Sequence, residues 1–169
     1  MKEFCKALVV DDFVGATIDR YSFSPLDSLD TELILKFGFS VPNALRKQAD
    51  LYFLTIDPFK LLSDMTWLVK ESRRYPLTFH YPRITKKQVT IRYPKDVFAV
   101  RNVPENFSKG DDNFSYSSST QASQPGQIVS SEVFSIKSRE IAPGKYAQTR
   151  KFFESVQNKI SEKLVLTKR

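Results

Sequence analysis

Residues 73–96, which read RRYPLTFHYPRITKKQVTIRYPKD, constrain the fold more than any other part of the chain. Within them, residues 88–93 alternate polar side chains with β-branched or aromatic ones, a period of two that is typical of a strand with one buried face. Prolines follow Tyr75 and Tyr81 and restrict both tyrosines to extended backbone. We therefore predict an edge strand at 77–81 and a central strand at 88–93, around which the rest of the chain pairs.

Similar apolar runs recur along the chain, and turn-forming residues separate them. Short strands at such spacing favour a sandwich or barrel over a βαβ fold. The segments 32–41 and 51–56 are expected to form an antiparallel pair. Four apolar residues on the buried faces are expected to share one core: Leu35, Phe37, Val89 and Ile91. The remaining predicted strands are 7–10, 16–18, 98–103, 114–120, 128–140 and 164–166.

The carboxyl-terminal part of the chain changes from a strand period to a helix period. Residues 146–160 are predicted to form a helix, because their apolar side chains recur on one helical stripe. The stripe consists of Tyr146, Thr149, Phe152, Phe153, Val156 and Ile160. Such an aromatic face is normally covered, so the helix is expected to pack on the sheets and 164–166 to add an edge strand. A short helical turn is expected near 58–65.

These elements predict a mainly β (α+β) fold, an antiparallel β-sandwich with one carboxyl-terminal α-helix and a short final strand. A length of 169 residues suits one domain of this kind. We predict a single domain over 1–169, in which 1–56 supply the leading strands.

Composition narrows the classes of function. The net charge is +7, but the lysines and arginines are scattered rather than clustered, which argues against a specific nucleic-acid surface. No apolar run approaches the roughly 18 residues that a membrane-spanning helix needs. The first five residues lack the apolar core of a signal peptide, so we expect either a cytoplasmic protein or a piece of a larger exported one. The single cysteine excludes an internal disulfide and a zinc site built from cysteines alone.

Two residues have the side chains that nucleophilic catalysis uses, Cys5 and His80. Cys5 lies at the amino terminus without a recognisable activating neighbour. His80 is the one histidine and lacks the further nitrogen or sulfur donors that a zinc site needs. We therefore predict no catalytic, cofactor-binding or metal-binding residues, and no cofactor.

Two acidic clusters could supply oxygen ligands for calcium, residues 11–12 and residues 111–113. Neither has the spacing of a twelve-residue calcium loop. Asp and Asn side chains also cap turns, and this is the preferred interpretation of both clusters.

Four aromatic residues of the central stretch could line a groove for a carbohydrate or a peptide: Tyr75, Phe79, Tyr81 and Tyr93. Tyrosine can face outward with its polar hydroxyl in water. The alternative is that these rings form cross-strand pairs in the core.

Several short motifs in the second half of the chain have the order found in one family. They are Arg74-Tyr75-Pro76, Ile91-Arg92-Tyr93-Pro94, Val103-Pro104, Ile141-Ala142-Pro143-Gly144-Lys145-Tyr146 and the helix with Phe152 and Phe153. On these motifs, residues 57–168 resemble the carboxyl-terminal β-rich domain of bacterial multidomain proteins that contain a transglutaminase-like core.

The resemblance implies a non-catalytic module of a larger periplasmic or extracellular protein, because the Cys-His-Asp core of that family is absent from this sequence. The expected partner is that core or another protein domain, with a peptide or glycan as a possible ligand and neither nucleic acid nor a membrane span. Two alternatives stay open: a free-standing carbohydrate- or peptide-binding module, and an enzyme that uses Cys5 or His80.

Overall fold

The protein is described by a computed structural model in two compact units, which cover residues 1–46 and 47–169. Each unit is described by itself. The residues that the structure describes are 2–10, 13, 15–24, 32–42, 44–56 and 68–169. The helical turn expected near 58–65 lies outside these residues.

The described residues of the first unit form one helix and one antiparallel strand pair. Helix α1 spans Lys2–Val10, and strands β1 (Thr17–Phe23) and β2 (Leu35–Ser40) pair with each other. The strand predicted at 7–10 is wrong. Cys5 and Val9 are both fully buried, and their spacing of four residues places them on one face of a helix.

The described residues of the second unit form one α-helix and ten strands, the first of which begins at the boundary residue Arg46. Its first five strands are β3 (Arg46–Gln48), β4 (Leu51–Thr55), β5 (Leu77–Thr78), β6 (Arg83–Arg92) and β7 (Phe98–Asn102). The remaining elements are β8 (Phe107–Gly110), β9 (Phe114–Gln124), β10 (Gln127–Ile136), β11 (Glu140–Ile141), a 3₁₀ turn (Pro143–Lys145), α2 (Tyr146–Ile160) and β12 (Lys163–Lys168).

Four antiparallel strands form the main sheet in the order β6-β10-β9-β8. β10 pairs with β6 over ten residues without a register shift, and it pairs with β9 on its other side. Among the strands that the structure describes, β6 is therefore an edge of this sheet, and the prediction of a central strand at 88–93 is wrong. The physical reason is that alternation in a sequence predicts one buried face, which an edge strand and an inner strand both have. The burial pattern agrees with the strand order, because every second residue of β10 is buried and the inward residues of β6 are on the whole more exposed.

The second sheet has the order β3-β4-β12-β7. Its strand β12 lies between β4 and β7, so the prediction of a final edge strand is wrong. Leu164 and Leu166 on β12 are almost completely buried, as expected for an inner strand. The predicted pairing of 32–41 with 51–56 is also wrong, because β2 pairs with β1 and β4 pairs with β3 and β12.

Helix α2 packs on the inner face of the main sheet, as the aromatic stripe predicts. Phe152, Phe153 and Val156 belong to one buried cluster with Phe114 and Phe134 of the sheet. The Phe153 ring meets Phe114 edge to face at 5.0 Å and Phe134 at 5.9 Å between ring centroids. The bounds of α2 agree with the helix predicted over 146–160.

The predicted fold class is confirmed: the chain is mainly β, with antiparallel sheets, a carboxyl-terminal helix and a short final strand. The four residues expected in one core are not fully buried, and they do not share a core. Leu35, Phe37, Val89 and Ile91 are all half-buried, and the first two belong to a different unit from the last two. The single domain over 1–169 stays a prediction. No described helix is long and apolar enough to cross a membrane.

Candidate functional site

The four residues of the predicted aromatic groove have different environments. Tyr75 and Tyr81 are strongly exposed, with 75% and 60% of their surfaces accessible. Phe79 packs against the core, with its ring edge to face on Phe114 at 5.6 Å between centroids. Tyr93 is half-buried at the end of β6, where its N–H donates to the carbonyl of Gly126. The exposed rings available to a ligand are therefore Tyr75 and Tyr81.

Cys5 and His80 are in different environments and in different units. The Cys5 thiol is fully buried in α1, and His80 is exposed just after β5. A buried thiol is poorly placed to act on a substrate, because nucleophilic cysteines are at least partly accessible.

The acidic cluster at 111–113 forms a turn before β9. One carboxylate oxygen of Asp111 accepts hydrogen bonds from the backbone N–H groups of Asn113 and Phe114, both at 2.8 Å. This geometry agrees with the turn-capping interpretation. Residues 11–12 lie outside the described chain. The described residues contain no group of three or more His, Cys, Asp or Glu side chains able to hold a metal ion.

The Ile-x-Pro-x-x-Tyr motif at 141–146 has a structural role. Ile141 on β11 pairs with Leu77 on β5, and both side chains are buried. Tyr146 is the first residue of α2. Its ring is buried, and its hydroxyl donates a hydrogen bond to the carbonyl of Lys70 at 2.8 Å. The Arg73 guanidinium lies 5.4 Å from the centre of this ring, within the range of a cation–π contact. The motif thus joins residues 70–77 to the helix.

A row of polar residues crosses the inner face of the main sheet, where apolar residues are expected. Lys87 on β6, Glu132 on β10 and Ser118 on β9 are direct cross-strand neighbours. Lys87 Nζ lies 2.9 Å from Glu132 Oε2, and both side chains are more than nine-tenths buried. One step along the sheet, the hydroxyls of Thr120 and Ser130 are hydrogen-bonded at 3.1 Å. We call these five residues the polar cluster.

A cavity of about 20 Å³ adjoins the polar cluster. Four residues of the polar cluster line this cavity: Ser118, Thr120, Ser130 and Glu132. Lys159 and Glu162 near the end of α2 and several apolar groups form the rest of its wall. Lys159 is buried and forms an ion pair with the more exposed Glu162. A cavity of this size has room for about one water molecule, but not for a substrate.

The polar cluster contains a hydroxyl, an ammonium group and a carboxylate, the groups that hydrolases combine. An activated serine needs a base within hydrogen-bonding distance. Ser118 Oγ is buried and makes no hydrogen bond to a protein group in the described part of the chain. The arrangement therefore stabilises charges inside the sheet and has no activated nucleophile at Ser118.

A wider groove runs along the exposed side of α2. Its volume is about 330 Å³, and it is lined by Leu68, Val69, Arg150, Glu154, Gln157 and Asn158. Val69 is 78% exposed, and Arg150 pairs with Glu154 at 2.9 Å across one helical turn. The groove is open and of mixed polarity, as a surface for a protein or peptide would be.

The outer face of the main sheet is rich in hydroxyl groups. The residues that alternate with the buried ones on β8, β9 and β10 include six serines: Ser108, Ser115, Ser117, Ser119, Ser131 and Ser135. The face also exposes Ile84 and Val133. It is bordered by β6, whose sequence RITKKQVTIR contains four cations and no acidic residue.

Sequence reasoning did not identify the polar cluster, although one signal was present. Glu132 has the same strand parity as Ile128, Phe134 and Ile136, so the period of two places it among buried residues. A charged residue at such a position needs a partner. The sequence alone does not show that Lys87 is this partner, because this depends on the register of β6 on β10.

Comparison with protein families finds one match, over residues 50–166. The description of that family is "Domain of Unknown Function with solved-structure structure (DUF3858)". No curated protein and no solved structure matches the chain. The matched range covers most of the second unit, from β4 to β12.

Proposed function

Because the chain belongs to the DUF3858 family over residues 50–166, we propose that it is a non-catalytic β-rich module that binds a protein partner within a larger protein. The larger protein is one with a transglutaminase-like core, and the module serves it by packing on that core or on another domain. This proposal combines the family membership with the motif order that the chain shares with such proteins.

The single observation that carries the proposal is the enclosure of the polar cluster. Lys87 and Glu132 neutralise each other in the core, beside a cavity of about 20 Å³ that is too small for a substrate. The features available to other molecules are on the surface: the groove along α2 and the exposed rings of Tyr75 and Tyr81. Such features suit binding rather than catalysis.

The proposal includes a location. A module of this kind acts in the periplasm or outside the cell, as part of a larger exported polypeptide. The alternative is a free-standing module for a glycan or peptide, which the two exposed tyrosines favour, because tyrosine is common in binding surfaces.

The native size of the protein tests the proposal. An antibody raised against the chain is used to precipitate the protein from cells of the source organism, and the precipitate is analysed by gel mass and peptide mass spectrometry. We expect a polypeptide much larger than the 19.5 kDa of this chain, with peptides from a Cys-His-Asp core in the same reading frame. A native polypeptide of the mass of this chain would contradict the proposal and favour the free-standing alternative.

A further inference from the structure

We propose that the cavity beside the polar cluster is a binding site for one water molecule, which completes the hydrogen bonds of the buried hydroxyl groups. The site lies in the core of the second unit, and it is independent of the proposed function. Three properties of the cavity point to water: the hydrogen-bonding groups of its wall, its size, and the balance of charge around it.

The wall of the cavity has more hydroxyl donors than it has bonds for them. Ser118, Thr120 and Ser130 each have one O–H group, which can donate one hydrogen bond. The Thr120 and Ser130 hydroxyls share a single bond of 3.1 Å, so only one of these two O–H groups is used in it. Ser118 Oγ is buried and has no hydrogen-bonding partner among the described protein groups. Two buried O–H groups therefore need an acceptor, because a buried donor without one costs free energy.

The positions of these hydroxyls suit a single bridging molecule. Ser118 and Thr120 are two residues apart on β9, so both side chains are on the inner face of the sheet. Residues with this spacing lie about 6.8 Å apart along an antiparallel strand, which is twice the rise per residue. A small molecule between the two rows is therefore within reach of hydroxyls from both. Glu132 lies directly opposite Ser118 on β10, and it lines the same cavity.

One water molecule balances the donors and acceptors of this wall. Its oxygen accepts the O–H group of Ser118 and the second O–H group of the Thr120–Ser130 pair. One of its own hydrogens donates to the Glu132 carboxylate, whose oxygens accept several hydrogen bonds besides the ion pair with Lys87. About three hydrogen bonds are typical of a buried water molecule.

Size and charge disfavour other ligands. The cavity of about 20 Å³ exceeds the roughly 10–15 Å³ that one water molecule needs, and it leaves no room for an organic group. The Glu132 carboxylate is balanced by the ammonium group of Lys87. The Glu162 carboxylate is balanced by that of Lys159. A neutral ligand is therefore favoured over an ion, which would add an unpaired charge to the core.

A crystal structure of the full chain, at a resolution that shows ordered water, tests the site directly. We expect one ordered water in the cavity, within about 3.2 Å of Ser118 Oγ, of the Glu132 carboxylate and of one hydroxyl of the Thr120–Ser130 pair. A cavity without ordered water would overturn the proposal. A direct hydrogen bond from Ser118 Oγ to a protein group would also overturn it.

Two variants of Ser118 test the water by its effect on stability in urea. Ser118→Ala leaves space for the water, whereas Ser118→Val fills this space and excludes it. In a dry core, valine should be the more stable of the two, because it buries more apolar surface and favours a strand. If a water is bound, valine removes the acceptor of a buried O–H group. We therefore expect Ser118→Val to unfold at a lower urea concentration than Ser118→Ala, and the reverse order would overturn the proposal.

The matched control is the same pair of changes at Ser117, whose side chain is on the outer face of β9, away from the cavity. Neither change displaces a buried water there. We expect Ser117→Val to unfold at the same urea concentration as Ser117→Ala or at a higher one. A lower value for Ser117→Val would overturn the use of this order as a sign of bound water. If Ser118→Val does not fold, as judged by circular dichroism, the crystal structure of the unaltered chain decides alone.

Discussion

Lys87 and Glu132 lie directly opposite each other on β6 and β10, and their charged groups are 2.9 Å apart inside the protein. Both residues are on the inner face of the main sheet, where they lie beside buried hydroxyl groups and the aromatic and aliphatic side chains of the core. Burial of two charges costs free energy that their attraction offsets only when the pair is intact. The pair therefore fixes the register of β6 on β10, because a shift by one residue would move Lys87 to the outer face.

Glu132→Ala should destabilise the protein strongly, because it leaves the Lys87 ammonium buried without its partner. We expect a loss of about 3–5 kcal/mol in the free energy of unfolding, measured by urea denaturation. The matched control is Glu154→Ala, which breaks the exposed pair with Arg150 and should cost less than about 1 kcal/mol. Equal losses for the two variants would show that the buried pair has no special role.

Replacing both charged residues should be far less harmful than replacing one. The double variant Lys87→Met/Glu132→Leu removes both charges and keeps apolar volume in the sheet, so we expect stability within about 1–2 kcal/mol of the original chain. The same urea titration checks this. A double variant as unstable as Glu132→Ala would mean that the cluster depends on hydrogen bonds that hydrophobic packing cannot replace.

Phe153 should contribute more to stability than any exposed aromatic residue of the second unit. Its ring contacts Phe114, Phe134 and Phe152, with centroids 5.0–5.9 Å away, and it is 1% exposed. Phe153→Ala should cost about 3–5 kcal/mol, the usual range for a buried phenylalanine. Tyr75→Ala, at a position 75% exposed, should change stability by less than about 0.5 kcal/mol. Thermal unfolding of both variants provides the comparison.

The single domain predicted over 1–169 can be tested by its unfolding behaviour. A single domain unfolds in one cooperative transition, which different probes report at the same temperature. Scanning calorimetry and far-UV circular dichroism of the full chain should therefore give one coincident transition. Two resolved transitions, with the second reproduced by a chain of residues 47–169 alone, would show that the two compact units fold as separate domains.

Local patterns in the sequence were sufficient to predict some elements and not others. Helix α2 was predicted with its observed bounds because its whole aromatic stripe lies within one element. The apolar run at 7–10 was ambiguous, since four residues do not distinguish a strand from a helix. The decisive pattern is that Cys5 and Val9 are buried while Ala7 between them is exposed, because a strand would place all three on one face and a helix does not.

Strand order could not be predicted in the same way, because it depends on contacts between distant segments. Nothing local to β12 shows that β4 and β7 flank it, or that β6 is an edge rather than the centre of its sheet. The polar cluster could not be predicted for the same reason. Its residues come from three strands, and only the registers of those strands on one another bring Lys87, Glu132 and Ser118 into one row.

Amide hydrogen exchange along β6, resolved by residue with NMR, tests most directly whether β6 is an edge strand of the main sheet, as the strand order β6-β10-β9-β8 requires. We expect slow exchange at Thr85, Lys87, Val89 and Ile91, whose N–H groups bond to β10, and fast exchange at Gln88 and Thr90, whose N–H groups point away from β10. Equal protection of both groups in the free chain would contradict the account, because it would mean that the edge of β6 is already covered.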